Sequence, residues 1–474
     1  MLGDVFKAYD VRHIYPDPLN ESVVWRIGHA TSSLLRDEAH EGGRTQPMMQ
    51  SIVVGHDMRA SSPSLTAALC EGITQQGGSV IDIGLVDTPF VYFAINYLDC
   101  AGGVMVTASH NPPQYNGLKI SRRHARPVGE TTGLGEIRER AATKNLEKHT
   151  PIETPGFIEQ RDLWDAYREH VHSFLDVEAM RKKPVKIVVD ASNGMAATSL
   201  PRLFGSCGAD VDGLEIVEMH FDSDGTHFVH EPNPLVASNL TWLQERVVKE
   251  GADLGVCFDG DADRCVIVDE GGSIVGCDHL TAWLATCFLR DNPGSAVVYD
   301  LRSSKALEET VREAGGRPIQ SRVGHVFMKQ ALAQEGAVFG GELSGHFYFK
   351  KNFNADSGVI ALASVLGEHA RDGRAMSAII RPIARYRQSG EMNFEVEDKD
   401  GALEALVERY FDDATISELD GVSIDCFDSQ GWWCNVRKSN TEPLLRLNLE
   451  ARDDDTLQGK VDEVSSLLGT PIAH

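Results

Sequence analysis

The stretch TASHNPPQYNGLKI, Thr107 to Ile120, sets one hydroxyl among groups that handle phosphate. Ser109 is that hydroxyl. His110 beside it can move a proton or hold phosphate, Asn111 and Pro112 bend the chain out of the preceding strand, and Lys119 adds a cation. This composition suits a serine that carries a phosphoryl group. A plain Ser-His-Asn-Pro turn between two strands would read the same in isolation, so three further motifs decide between the readings.

DGDADR, Asp259 to Arg264, sets three carboxylates at alternating positions behind the apolar run ADLGVCF. A hard divalent cation takes such an oxygen set. Asp259, Asp261, Asp263 and Glu270 also match positions one, three, five and twelve of a calcium-binding EF-hand loop. The sixth position, however, is Arg264 where that loop needs glycine, and the flanks are strand-like. Mg²⁺ on Asp259, Asp261 and Asp263 is therefore the expectation. GGELSGH, Gly340 to His346, packs Glu342, Ser344 and His346 between glycines that permit close approach to a ligand. Hydrolase chemistry is conceivable there, but hydrogen bonding to vicinal sugar hydroxyls is the more economical role. RKSNTEP, Arg437 to Pro443, offers Arg437, Lys438, Ser439, Asn440 and Thr441 as donors in one turn, a cradle for phosphate. Tyr9 and Arg12 in KAYDVR, Lys305 in LRSSK and His325 in RVGH are weaker single candidates.

The elements that must position these residues recur. An apolar strand ending in Asp, a polar turn, a helical stretch and a Gly-led second strand occur from SIVVGHDMRASS to QQGGSVIDIG, from KIVVDASNGMAA to GSCGADVDG, and from AVVYDLRSSKAL to EAGGRPIQ. Each is a βαβ unit, which predicts three similar α/β domains with parallel or mixed sheets. After Pro382 the character changes: EMNFEVEDKD alternates, GALEALVERYF is helical, VSIDCF, GWWCNVRKS and LLRLNLEA are strands, and a short helix ends the chain. That tail predicts a smaller α+β domain. Turn signals place the domains at 1–155, 156–272, 273–383 and 384–474.

A chain of 474 residues is too long for one core. Its net charge of −25 argues against nucleic acid and anionic membrane as partners, because both need a basic face. An anionic small substrate remains compatible, since Arg and Lys recur inside the motifs. The nine cysteines show no CxxC pair, so neither a zinc site nor a disulfide framework is expected, and a reducing cytoplasm fits. No apolar signal core or spanning run is visible.

TASHNP, DGDADR, GELSGH and RKSNTEP stand in the order used by the α-D-phosphohexomutase family, and the chain resembles that family over essentially its whole length. The resemblance implies four domains around a central cleft, each contributing one loop. It implies a reversible phosphoryl shift between the C1 and C6 oxygens of a hexose phosphate, with phosphorylated Ser109, Mg²⁺ held by Asp259, Asp261, Asp263 and a phosphoserine oxygen, and hexose 1,6-bisphosphate as intermediate and activator. Carried over by position, Arg12, His110, Lys119 and Arg264 surround the reacting group, with Lys119 or His110 moving the proton. Arg437, Ser439, Asn440 and Thr441 grip the other phosphate, and Tyr9, Lys305, His325, Glu342, Ser344 and His346 contact the sugar. Leu343 and Ser439-Asn440-Thr441 are similar to bacterial phosphomannomutases that also accept glucose phosphates. Phosphoglucosamine mutase and phosphoglucomutase are the alternatives, a serine-phosphate hydrolase the competing class, and a cytoplasmic monomer or weak dimer the expected state. Val11, His13 and Val323 depart from the family pattern, which bears on substrate preference.

Overall fold

The computed structural model describes residues 2–143, 152–439 and 444–472. Packing divides the chain into two compact units, one running to Cys277 and taking up Ser344–Ser377, the other formed by Asp278–Leu343 and the chain from Ala378 onward.

In the first unit, the first repeat forms the parallel strands Ile52–His56 and Val80–Leu85 with helix Ser62–Gln75 between them. The sheet continues through Gly102–Val106, parallel to Ile52–His56, then antiparallel to Tyr115–Arg122 and Val11–Ile14, and closes its other edge with Ile158–Gln160. A β-branched run buried on both faces is what such a sheet selects, and Ile52, Val53, Val54, Val104 and Val106 are fully buried. Helices Glu21–Glu41 and Ser62–Gln75 meet through glycines: a Cβ on Gly72 would lie 2.1 Å from the Trp25 carbonyl, and one on Gly28 would lie 2.5 Å from that of Leu69. The second repeat forms Val185–Asp190 and Leu214–Met219 in parallel, flanked by Leu254–Phe258, Cys265–Asp269 and Ile274–Val275. A short hairpin, Phe347–Phe349 with Ala355–Asp356, and helix Gly358–Asp372 complete this unit.

The second unit carries the third repeat, Ala296–Asp300 pairing in parallel with Arg317–Ser321 and with Phe339–Gly341. Its C-terminal part is an antiparallel six-stranded sheet in the order Thr415–Ser417, Val422–Cys426, Trp432–Lys438, Leu445–Ala451, Arg387–Phe394, Pro471–Ile472. Helices Lys399–Tyr410 and Asp454–Leu468 bury Leu406, Tyr410, Val464 and Leu468 against Trp432, Leu447 and Leu449. Mixed α/β sheets with an α+β tail are thus the fold class the repeats predicted. The final helix is longer than expected and is followed by the short edge strand Pro471–Ile472. Among the described residues no helix is long and apolar enough to cross a membrane.

Candidate active site

Strand Gly102–Val106 leads into the loop that carries Ser109, whose backbone adopts φ 51° in the left-handed region and whose N–H donates to Thr107 Oγ1 at 2.9 Å. Holding a non-glycine residue there takes support from outside the loop. Arg59 supplies it. Its guanidinium is fully buried, donates from Nη2 to the carbonyls of Ser109 (2.8 Å) and Asn111 (2.6 Å), and from Nη1 to those of Pro112 (2.7 Å) and Tyr115 (3.1 Å). Nε pairs with Asp57 at 3.1 Å, so all five donors of the fork are used. On the outer side, Arg12 donates to Asn111 Oδ1 at 2.7 Å while Asp10 holds its other edge.

The turn between antiparallel strands Leu254–Phe258 and Cys265–Asp269 brings the three aspartates to this loop. Asp259 Oδ2 accepts from the Ser109 hydroxyl at 3.0 Å and from Arg264 Nε at 2.9 Å. Gly260 lies so close that a Cβ on it would stand 2.3 Å from the Ser109 carbonyl oxygen. Ligand oxygens of Asp259, Asp261 and Asp263 lie within 4.8 Å of one another, and all three residues are buried. Burial, with Asp263 and Asp261 adding like charge, outweighs Arg264 and pushes Asp259 up to about 7. Among the described residues no donor reaches the buried Asp261 Oδ1, although Oδ2 accepts from Thr88 Oγ1 at 2.5 Å. Lys119 Nζ sits 2.6 Å from both Asp261 and Asp263, so that with Arg264 on Asp259 two positive charges face three carboxylates. An all-oxygen donor set with an orphaned ligand atom and an excess of negative charge fits a hard divalent cation such as Mg²⁺.

Charge states separate the two proton-transfer candidates. Burial disfavours the charged form of Lys119, but Asp261 and Asp263 override it and hold the ammonium well above its ordinary pKa. Burial, followed by the positive charge of Arg264, Arg12 and Lys119, holds His110 well below its usual range and therefore neutral. Arg264 Nη2 lies 2.6 Å from His110 Nδ1, and a guanidinium only donates, so Nδ1 is the acceptor. Ser109 Oγ is 3.4 Å from that same nitrogen. Ser344 and His346 also face the aspartate loop: His346 Nε2 is 3.4 Å from Asp263 Oδ1, and its Nδ1 is 2.9 Å from the Ser344 hydroxyl. Tyr9 lies half-buried in the bend before Val11–Ile14.

In the second unit, Glu342 is buried and accepts from the Gly324 N–H at 3.1 Å, next to His325 at the start of helix His325–Glu335. Arg437 is buried on strand Trp432–Lys438 and reaches Glu391 at 3.1 Å, where Arg446 (2.9 Å) and Arg302 (3.5 Å) converge. Arg437 Nε is buried and has no acceptor among the described residues, which suits an anion. Lys305 is placed differently, its ammonium 2.6 Å from Asp425 and 3.5 Å from Glu308. The Ser439 N–H donates to the Leu444 carbonyl at 2.9 Å; Asn440 and Thr441 lie outside the described residues. Sequence reasoning passed over Arg59, Arg302, Arg446 and Glu391. A signal existed for the first two: each follows a strand-ending Asp by two positions, as Asp57-Met58-Arg59 and Asp300-Leu301-Arg302, and each carboxylate accepts from the N–H of its own arginine.

Four family models match the chain in order, described as phosphoglucomutase/phosphomannomutase alpha/beta/alpha domains I, II and III and C-terminal domain, over residues 3–148, 165–272, 277–386 and 391–467. Among curated relatives, the "Phosphohexose mutases" of Xanthomonas campestris pv. campestris are 38% identical over 466 residues, covering 98% of each chain. The "Phosphomannomutase" of Escherichia coli strain K12 is 35% identical over 456 residues, covering 95% of each. A phosphoglucomutase/phosphomannomutase family protein of Burkholderia thailandensis has a solved structure with TM-score 0.86 at 30% identity, covering 98% of this chain and 96% of that one. At 14% identity and TM-score 0.60, the N-acetylphosphoglucosamine mutase of Aspergillus fumigatus, solved with GlcNAc-6P and magnesium, shares the fold over 98% of this chain and 96% of its own. The chain therefore belongs to the phosphoglucomutase/phosphomannomutase group of the α-D-phosphohexomutase family and is an intramolecular phosphotransferase, a phosphohexomutase.

Proposed function

We infer that the protein is a phosphomannomutase that interconverts mannose 1-phosphate and mannose 6-phosphate, accepts glucose phosphates as well, and works through phosphorylated Ser109 and a hexose 1,6-bisphosphate. The observation that carries this reading is the Ser109 hydroxyl on Asp259, inside a ring made by Arg264, His110, Lys119 and the other two aspartates. In the forward half-reaction the P–O bond to Ser109 Oγ breaks as a P–O bond to the free sugar hydroxyl forms. The second half returns the other phosphate to Ser109.

Asp259, Asp261 and Asp263 would hold Mg²⁺ with a phosphoserine oxygen, and the ion would withdraw charge from the transferring group. Arg264, Arg12 and Lys119 add positive charge to the same oxygens. Lys119, held as a cation, serves as charge and proton donor. His110, held neutral, takes the proton of the attacking hydroxyl once Arg264 turns its Nη2 from Nδ1 to phosphate. Arg437, Ser439, Asn440 and Thr441 grip the phosphate that is not reacting, and Arg302 and Arg446 join them by their convergence with Arg437 on Glu391. Glu342, Ser344, His346, His325, Lys305 and Tyr9 are assigned to sugar recognition, with His346 also able to bond Asp263. The four domains are assigned to 1–155, 156–272, 273–383 and 384–474, with a cytoplasmic monomer or weak dimer as the working form.

Leu343 and the names of the curated relatives favour mannose. The test is a side-by-side mutase assay on mannose 1-phosphate, glucose 1-phosphate and glucosamine 1-phosphate with Mg²⁺ and catalytic hexose 1,6-bisphosphate. Turnover of mannose 1-phosphate at least equal to the others is expected. Reaction of glucosamine 1-phosphate alone would replace this substrate reading, and stoichiometric release of free phosphate would identify a hydrolase instead.

A further inference from the structure

The second repeat breaks the pattern of the other two. Where Asp57 and Asp300 are followed by Arg59 and Arg302, Asp190 is followed by Ala191 and Ser192, and among the described residues no guanidinium caps its carboxylate. Two imidazoles take that place. His220 Nδ1 lies 2.9 Å from Asp190 Oδ1, and His230 Nε2 lies 3.1 Å from Oδ2. Asp190 is fully buried, His230 nearly so, and the Trp242 ring stands beside both imidazoles at 5.6 and 6.4 Å between centroids. The three residues offer ligand atoms within 4.8 Å of one another.

The tautomer of His230 makes this more than a hydrogen-bonded cluster. Its Nδ1 is 2.7 Å from the Glu231 carbonyl, which can only accept, so Nδ1 carries the hydrogen. A neutral ring would then aim the Nε2 lone pair at a carboxylate oxygen, which is repulsive. A cation belongs at Nε2, either a second proton or a metal ion. An imidazole fixed through its other nitrogen to a carbonyl is also the usual support of a metal-bound histidine.

We propose that Asp190, His220 and His230 form a second metal site, separate from the three-aspartate cluster and suited to a borderline divalent ion such as Zn²⁺. Two imidazole nitrogens and a carboxylate match Zn²⁺, whereas Mg²⁺ prefers oxygen throughout. Ligands held roughly 2.0–2.2 Å from one tetrahedral ion lie roughly 3.3–3.6 Å apart. The two imidazole nitrogens stand 2.9 Å from Oδ1 and 3.1 Å from Oδ2 of Asp190, so an ion would enter by spreading these ligands by a few tenths of an ångström.

The site has a structural use. Asp190 ends a core strand, while His220 and His230 bracket the segment that carries Gly225 and Phe228. Phe228 lies under the Arg59 guanidinium at 5.5 Å, and a Cβ on Gly225 would stand 1.9 Å from the Met58 carbonyl. An ion there would staple this segment to the sheet and stiffen the backing of Arg59.

The experiment is calorimetric titration of the full-length protein with Zn²⁺ in excess Mg²⁺, followed by Co²⁺ titration read in the visible spectrum. One equivalent of Zn²⁺ is expected, its affinity falling at least about tenfold in His230→Asn and His220→Asn and unchanged in Asp261→Asn. Circular dichroism checks that each variant is folded. The Co²⁺ spectrum needs no variant: bands of four- or five-coordinate, nitrogen-ligated metal support the site. Absence of Zn²⁺ uptake, loss of uptake in Asp261→Asn but not in the histidine variants, or only the weak bands of six-coordinate oxygen-ligated Co²⁺ would overturn it. The readout is independent of mutase activity, so neither result depends on the substrate assignment.

Discussion

Gly260→Ala tests how closely Ser109, the proposed phosphoryl carrier, depends on the aspartate loop. A Cβ at this position would stand 2.3 Å from the Ser109 carbonyl oxygen, with the Pro232 side chain on its far side at 3.7 Å. Ordinary contact begins near 3.4 Å, so the two loops must separate by about 1 Å, and the Ser109 carbonyl cannot yield alone because Arg59 grips it at 2.8 Å. A displacement of about 1 Å at a reacting group costs on the order of 100-fold in rate. Overpacking costs about 1–3 kcal/mol of stability, small enough for the variant to remain folded. The assay is coupled turnover of mannose 1-phosphate at saturating substrate, with phosphoserine content by mass spectrometry and thermal unfolding in parallel. Gly459→Ala, at an exposed position of helix Asp454–Leu468 with open space around its Cβ, is the control and should gain about 0.5–1 kcal/mol with no change in rate. If Gly260→Ala retained a kcat within threefold of the parent while folded, the contact between the two loops would not be what positions Ser109.

Four further outcomes are expected. Ser109→Ala should abolish turnover and leave sugar-phosphate binding by calorimetry intact; near-normal turnover would remove the phosphoserine assignment. Arg437→Ala should raise KM more than it lowers kcat, because a grip on the non-reacting phosphate is nearly equal in ground and transition states; a fall in kcat at unchanged affinity would contradict it. Arg59→Lys supplies three donors where five are used, so carbonyls of the Ser109 loop go unmet at a cost of about 1–3 kcal/mol each, seen as a lower urea midpoint together with slower turnover. Burial pushes Asp87 from 3.8 up to about 6 despite donors from Ser199, the Phe90 N–H and Tyr167. The folded pKa is the higher one, so this group's stabilisation is complete below pH 3.8 and is lost as pH rises through about 6, a change of about 3 kcal/mol. Unfolding midpoints measured from pH 4 to 7 should decline less steeply in Asp87→Asn; an unchanged slope would refute the assignment.

The repeats were legible because a strand, a turn and a helix are local: βαβ units at 52–85, 185–219 and 296–321 follow from apolar runs, terminal aspartates and Gly-led returns. The C-terminal alternation was legible for the same reason. Grouping was legible where candidates are neighbours in sequence, as in the three aspartates and in Ser109 with His110. Tertiary structure decided which partners meet. Nothing near Lys119 in the sequence names its partners, and only folding sets it between Asp261 and Asp263, 142 and 144 positions away, where their charge keeps it protonated. Arg59 and Ser109 are 50 positions apart, and neither residue type announces that one guanidinium will hold four carbonyls of the other's loop. Lys305 and Arg302 stand on one short turn, and packing alone sends the lysine to Asp425 and the arginine toward Glu391. Sequence determined the donors, the carboxylates and the strands that end in them, since these are properties of residue type and short-range period. Which charges become buried together, and hence which groups are held neutral or ionised, was left to the fold, because desolvation and Coulomb energy depend on distances that only the packed chain creates.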